Sequence, residues 1–355
     1  MIILFTVQYL NVIIVQNLNI SFMKQKILVL GTGSAAYRHV KNILKIKGIA
    51  EINVYSNLKN RSKVFCERFN KAFINVADKK DIYTKNYSHI VIASNTASHN
   101  MYLKKFILKK NNIYCEKPLP NDKYLETLKK LVKQKNLSNK VKFGYQFRFN
   151  YLVKFLKGEL SKKVNKNIYL IKIFCGQNLK KWRINSDYKK LYSAGKNYLA
   201  SVNWELSHEI DILNFIYKKP KKIFSSLNRT KLLDLNINDV STSIMKFKNK
   251  KVICTITSEM LSPFLYRKIL IATTNNFYEA DLVNNSLIVT NAKNVKKKYY
   301  FKQTRNDMFL KLMKSFLLNK KKSNTFDFAN LNDALDIANI QKKMEISNNR
   351  KTVTL

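Results

Sequence analysis

Two hydrophobic textures divide the chain. Between residues 23 and 143, short apolar runs at 27–30, 52–55, 89–93, 113–116 and 141–143 alternate with stretches at 38–47, 62–69, 99–108 and 122–134. In those stretches apolar residues recur at helical spacing, and Asn121 stands where it would cap the last of them. Strands alternating with amphipathic helices predict a parallel sheet layered by helices. From residue 166 onward strands follow one another instead, at 168–175, 222–227, 242–247, 252–258, 268–272, 277–282 and 286–289. Lys248-Asn249-Lys250 reads as a hairpin break between two of them. This half predicts a mostly antiparallel open sheet framed by helices at 205–217, 306–318 and 331–346. The expected architecture is therefore α/β, with a parallel-sheet domain over 23–143 and an α+β domain over 144–355. The boundary falls near Gly144, and the cleft lies at the junction.

The first strand runs into the stretch GTGSAAYRH, residues 31–39. Glycine is scarce, with seven in 355 residues, so two placed one residue apart need a reason. Gly31 suits a sharp turn, and Gly33 leaves room for a backbone to approach a pyrophosphate. Ala36 fills the third small position of G-x-G-x-x-G/A, where helix packs closely on strand. A helix starting here would aim backbone N–H groups and its positive dipole end at phosphate. By itself the motif fits a dinucleotide site or a plain strand–helix turn.

Composition narrows the field. Hydrophobic residues at 46% with 12% aromatics argue for a folded chain, and the net charge of +44 suggests nucleic acid or an anionic surface. Lysine, however, is spread along the whole chain among Asn and Ile, a compositional drift rather than a basic patch, and specific nucleic-acid binding is not expected. Cys66, Cys115, Cys175 and Cys254 show no metal or redox spacing and read as reduced thiols in a cytoplasmic protein. With four histidines and no Cys/His cluster, no metal is expected. Residues 1–22 are apolar but interrupted by Gln8, Asn11, Gln16, Asn17 and Asn19, a poor membrane anchor. They read as an extension ahead of Met23, which opens the domain cleanly; no membrane association is expected.

Candidate chemistry lies at strand ends. The second strand ends in Ser56, with Lys59 and Arg61 beyond, where a dinucleotide fold usually places an acid for the ribose. A hydroxyl with cations suits a 2′-phosphate, which leans toward NADP; ordinary surface cations are the alternative. Ser94 and Asn95 end the third main strand, and His99 starts the next helix, facing ligand or solvent. Glu116-Lys117-Pro118 follows the fourth strand and points a lysine at the cleft mouth. In ELSHEIDILNFIY, Glu205, His208 and Asp211 are spaced to share a helix face opposite Leu206, Ile210, Leu213 and Tyr217. That face is either a solvated polar one or an acid–imidazole–acid row.

GTGSAAYRH, IASNTASH and YCEKPLP at these intervals resemble the Gfo/Idh/MocA family of NAD(P)-dependent oxidoreductases. GYQFRFNYLVKFLK at 144–157 looks like that family's passage into its second domain. Residues 182–211 resemble a branch associated with surface-polysaccharide and nucleotide-sugar metabolism, and DALDIANIQKKMEISNNRKTV looks like the family's final helix. The resemblance implies an N-terminal Rossmann domain, NAD or NADP as cofactor, and a sugar or nucleotide-sugar substrate. A homo-oligomer assembled through the C-terminal sheet is expected. Lys117 and His208, with Glu205 tuning the imidazole, become the catalytic set, and a cis Lys117–Pro118 bond is implied. An imidazole titrating near neutrality would exchange the substrate proton, and the lysine would stabilise developing alkoxide. Expected cofactor contacts are Gly31, Thr32, Gly33, Ser34, Ala35, Ala36, Ser56, Arg61, Ser94, Asn95, His99, Glu116 and Lys117. Expected substrate contacts are Lys117, Arg148, Asp187, Tyr188, Tyr192 and His208. The chain departs from the family where Leu199-Ala200-Ser201 replaces a glycine-rich turn and Glu205 replaces an aspartate. These departures keep open a cofactor-binding protein without turnover, beside the leading reading and a basic nucleic-acid binder.

Overall fold

The computed structural model describes residues 25–120, 122–163, 167–182, 187–190, 194–195, 200–248, 251–318 and 327–348. The extension at 1–22 and the expected cap Asn121 lie outside them.

The first half alternates as β1 (Gln25–Leu30), α1 (Ser34–Ile43), β2 (Ile49–Tyr55), α2 (Lys59–Glu67), β3 (Ile74–Val76), α3 (Asp81–Thr84), β4 (His89–Ile92), α4 (His99–Phe106), β5 (Asn112–Cys115), α5 (Leu125–Lys135) and β6 (Val141–Phe143). Strand order is β3-β2-β1-β4-β5-β6, every neighbour parallel. Ile27, Leu28, Val29 and Leu30 are completely buried, as a central parallel strand covered on both faces requires. Strand order reverses between β1 and β4, and the crevice beyond their carboxyl ends is where open α/β sheets bind ligands.

The second half runs α6 (Tyr151–Ser161), β7 (Ile168–Gly176), α7 (Val202–Glu205), α8 (His208–Ile216), β8 (Lys222–Asn228), β9 (Val240–Lys246), β10 (Ile253–Glu259), β11 (Tyr266–Thr273), β12 (Asn276–Asp281), β13 (Ser286–Asn291), β14 (Lys296–Tyr300), α9 (Arg305–Leu318) and α10 (Leu331–Asn348). Its sheet, ordered β14-β13-β12-β11-β7-β10-β9-β8, is antiparallel except where β7 meets β10. β9 and β10 pair in hairpin register, Lys246 opposite Ile253, although Asn249 and Lys250 lie outside the described residues.

Four elements escaped the periodicity, among them the single-turn helix α3. β3 is only three residues long. β14 reads KKKYY, and its lysines are at home on a sheet edge. α6 carries Gly158, and Asn150 caps it by accepting from the Val153 N–H at 3.0 Å. The expected helix over 205–217 is two pieces, because Leu206 leaves the helical region (φ −93°, ψ 44°) between α7 and α8.

The last helices tie the halves together. α9 packs on α1 and on the 3₁₀ turn Gln146–Phe149, while α10 lies along β8. Phe143 of β6 also bridges to Ala329, just before α10. No described helix is long and apolar enough to cross a membrane. The cysteines are free, Cys66 half-buried and the other three buried.

Candidate active site

The glycine turn is built for close approach. Gly31 has φ +123°, and a Cβ there would sit 2.4 Å from the Ala93 carbonyl oxygen. Gly33 differs: a Cβ on it would meet nothing within 4 Å, and it occupies the N-cap of α1 with no side chain to offer. Thr32 and Ala35 are half-exposed and Ser34 exposed around this open helix start, whereas Ala36 is buried against the sheet. The turn therefore has the fixed bend and the open, uncapped amide end that a dinucleotide pyrophosphate needs. These residues fit the cofactor. Gly31 N–H donates to Tyr55 O at 2.9 Å, which sets Ser56 at the end of β2 next to the turn. Arg61 is exposed in the first turn of α2.

At the end of β4, Asn95 caps the short turn Thr96–Ser98 by accepting from the Ser98 N–H, and the Ser98 hydroxyl lies 2.8 Å from Ser94 Oγ. His99 is not at the surface. Its Nδ1 lies 3.0 Å from Pro118 O and its Nε2 3.2 Å from Ser94 O, so the ring links the two strand-end loops. Burial lowers its basicity, against the pull of those carbonyls. His99 thus holds the loops and does not present a nitrogen to a ligand, a correction to its expected role as a cofactor contact.

Glu116 is also engaged by its own neighbours. Its carboxylate takes His39 Nε2 at 2.6 Å, the Tyr114 hydroxyl at 2.8 Å and the Lys117 N–H at 3.3 Å. Burial pushes this carboxyl up, but His39, Tyr114 and Lys117 outweigh it and take it down to about 2. Gly144 completes the packing, since a Cβ there would lie 2.5 Å from Tyr114 Oη and 2.9 Å from Glu116 Oε2. The loop so anchored carries Lys117, joined to Pro118 by a cis bond. Lys117 Nζ donates to the Glu205 carbonyl at 2.8 Å and so spans from the parallel sheet to α7.

His208 begins α8, buried, with the rings of Tyr145 and Phe147 edge-on at 5.9 and 5.3 Å. Its Nε2 lies 3.3 Å from Gln146 Nε2, and its Nδ1 is buried without a hydrogen-bond partner among the described residues. Burial, then the charges of Lys117, Arg267 and Arg305, hold the imidazole well below its ordinary range. The ring is neutral at physiological pH and does not titrate near neutrality in the free protein, contrary to expectation. The Glu205 carboxylate, half-exposed, makes no hydrogen bond or ion pair among the described residues.

The expected shared face of Glu205, His208 and Asp211 does not form. The break at Leu206 turns Glu205 away, and α8 is buried on nearly every side. Asp211 instead takes Arg148 through Nη2 at 2.6 Å and Nε at 2.9 Å, and Arg148 Nη1 reaches Asp333 at 3.1 Å and Phe328 O at 3.2 Å. Arg148, 4% exposed, is a structural clamp between the 3₁₀ turn, α8 and α10, not a substrate contact. Tyr188 donates its hydroxyl to Leu233 O at 2.9 Å, so that group is also engaged in the fold. Asp187 is exposed and accepts from the Lys189 N–H, and Tyr192 lies outside the described residues.

Gln146, Arg267 and Arg305 were not singled out from sequence. Arg267 donates Nε to Glu209 at 2.8 Å and Nη2 to Cys175 Sγ at 3.1 Å, its guanidinium 4.5 Å over the Phe147 ring. A charged residue facing inward on β11 was a signal for it, but one that needs the sheet's faces assigned. Among the described residues no three His, Cys, Asp or Glu side chains are grouped to hold a metal ion.

A family model described as an oxidoreductase family with an NAD-binding Rossmann fold, Gfo/Idh/MocA, matches residues 25–143. No curated protein matches the chain in sequence. Among solved structures, an oxidoreductase from Agrobacterium radiobacter in complex with NAD+, L-tartaric acid and magnesium superposes with a TM-score of 0.73 at 15% identity, over 92% of this chain and 96% of that one. UDP-N-acetylglucosamine 3-dehydrogenase from Acidithiobacillus ferrooxidans gives 0.70 at 11%, over 91% and 97%. An inositol dehydrogenase homolog from Azotobacter vinelandii, complexed with NADH and myo-inositol, gives 0.74 at 11%, over 92% and 96%. At such identities these likenesses speak for the fold alone.

Proposed function

We propose that the chain, whose residues 25–143 match the Gfo/Idh/MocA oxidoreductase family model, is a dehydrogenase acting on a sugar or nucleotide-sugar hydroxyl or carbonyl. The observation that carries this reading is the meeting of Lys117 and α7–α8. A lysine on the anchored loop after β5 reaches Glu205 O at 2.8 Å, three residues before a buried, neutral imidazole.

The backbone of Gly31 to Ala36 would hold the cofactor pyrophosphate, with Ser56 and Arg61 toward the adenosine ribose and Ser94 and Asn95 lining the crevice. A bound nicotinamide dinucleotide supplies the hydride acceptor or donor. Lys117 stabilises negative charge on the substrate oxygen, which a positioned cation does best in a water-poor site. His208 exchanges the proton. The two ends of the Gln146 amide interchange by rotation; with Oε1 facing an Nε2–H, the lone pair lies on Nδ1, the ring atom without a partner among the described residues. Glu205 contributes through its backbone carbonyl, which holds Lys117 Nζ beside the start of α8. In this reading residues 23–143 bind cofactor and 144–355 bind substrate and a second copy of the chain, and the free thiols suit a reducing cytoplasm.

The test is turnover measured with NADH and NADPH against sugars and nucleotide-sugars, together with thermal unfolding. Lys117→Ala and His208→Ala should each lower turnover by about 10²–10⁴-fold in a folded protein that still binds cofactor, and Glu205→Gln by less. Undiminished turnover in folded His208→Ala would end the catalytic assignment.

A further inference from the structure

Nine of the 66 basic residues are arginine, and three of the nine, Arg38, Arg267 and Arg305, stand near one another, two of them close enough to His208 for their charges to act on it. Arg38, on α1, lays its guanidinium 4.4 Å over the ring of Phe309 on α9. Arg305 is the first residue of α9, four positions before Phe309 and so on the same side of that helix. Arg267 stacks over Phe147, whose ring in turn touches His208. Glu209 partly balances Arg267, but neither Arg38 nor Arg305 has a carboxylate within ion-pair distance among the described residues. Packing and the charges of Arg38 and Arg267 lower the basicity of Arg305, as expected of like charges gathered without an anion between them.

We propose that Arg305 and Arg267, with Arg38 behind them, form the seat for an anionic group on the substrate, a carboxylate or a phosphate. This rests on the dehydrogenase reading and narrows its substrate to an acidic or phosphorylated sugar. Guanidinium groups pair with such oxyanions in a planar, two-pronged way that lysine cannot match, so arginine is informative in a chain whose cations are mostly lysine. Aromatic rings under two of the three guanidinium groups fix their planes. An anion here would also offset cations that suppress the basicity of His208.

The experiment is calorimetric titration of the full chain saturated with NADH. The anionic probes are D-glucuronate, for a carboxylate, and UDP-N-acetylglucosamine, for a diphosphate; D-glucose and N-acetyl-D-glucosamine are their neutral counterparts. At least one anionic probe should bind about 10-fold or more tighter than its counterpart, Arg305→Gln should lose about 10-fold of that, and Arg305→Lys should lose less. Equal binding of charged and neutral probes, or an unchanged Arg305→Gln, overturns the seat. So does a loss confined to NADH affinity, which would assign Arg305 to the cofactor's phosphates. Turnover separates the two proposals. Oxidation of neutral sugars without anionic preference would sink the seat and leave the dehydrogenase, whereas Arg305-dependent anion binding without any turnover would do the reverse.

Discussion

Single residues in this site are distinguished by what their polar atoms already touch. Ser56 touches little: among the described residues its hydroxyl accepts a long contact from the Leu58 N–H, 3.4 Å, at the end of β2 beside the glycine turn. With Arg61 exposed one helical turn on, the position suits a 2′-phosphate, and a modest preference for NADPH over NADH is expected. Ser56→Asp should reverse it, because a carboxylate repels that phosphate and can accept from a ribose hydroxyl. Fluorescence titration of both reduced cofactors against both proteins checks this. A wild type that already prefers NADH would show that the cations of α2 are surface only.

At the scale of elements, strand alternation separates two faces of the second sheet. Along β9, Ser241, Ser243 and Met245 point inward while Thr242, Ile244 and Lys246 point out. Phe224 pairs across to Ile244, and Ile253 of β10 lies on the same outer face; the three are 55, 42 and 45% exposed. This exposed apolar strip, edged on the same face by Lys222 and Lys246, is where a second copy is expected to pack around a twofold axis. Sedimentation should therefore show a homo-oligomer, and Ile244→Lys should shift it toward monomer without lowering cofactor affinity. A monomeric wild type would rule this interface out.

For the whole molecule, the buried histidines give stability a pH dependence. Burial lowers His89 to about 4 and depresses His99 and His208 as well. Unfolding returns each to about 6.5. Below that pH the unfolded chain binds protons that the folded chain refuses, so stability falls as pH falls and is regained above it. Asp211 opposes this by one proton, since burial raises its carboxyl to about 6 despite Arg148. Between pH 7 and 5 the depressed histidines outnumber the one opposing carboxyl, so stability should fall over that range. Tm should be lower at pH 5 than at pH 7. Thermal unfolding across that range measures it, and a flat Tm would mean that these rings take up protons in the folded state.

Periodicity and glycine placement determined the α/β order, the parallel first sheet, the strand succession of the second and the turn at Gly31, because each follows from local backbone and burial constraints along a short stretch. The lysine after β5 was legible for the same reason: a strand end fixes where its next residues project. Only the tertiary structure decided the fate of the polar residues. Arg148, His99, Glu116 and Asp211 looked available in sequence, and the fold buries them against partners as distant as Asp333, Pro118, His39 and Arg148 itself. The break at Leu206 and the approach of Arg267 and Arg305 to His208 belong to this class. A helix period says which residues share a face, but what packs on that face is set by elements tens to hundreds of residues away, and that packing decides whether a charge is a clamp or a reagent.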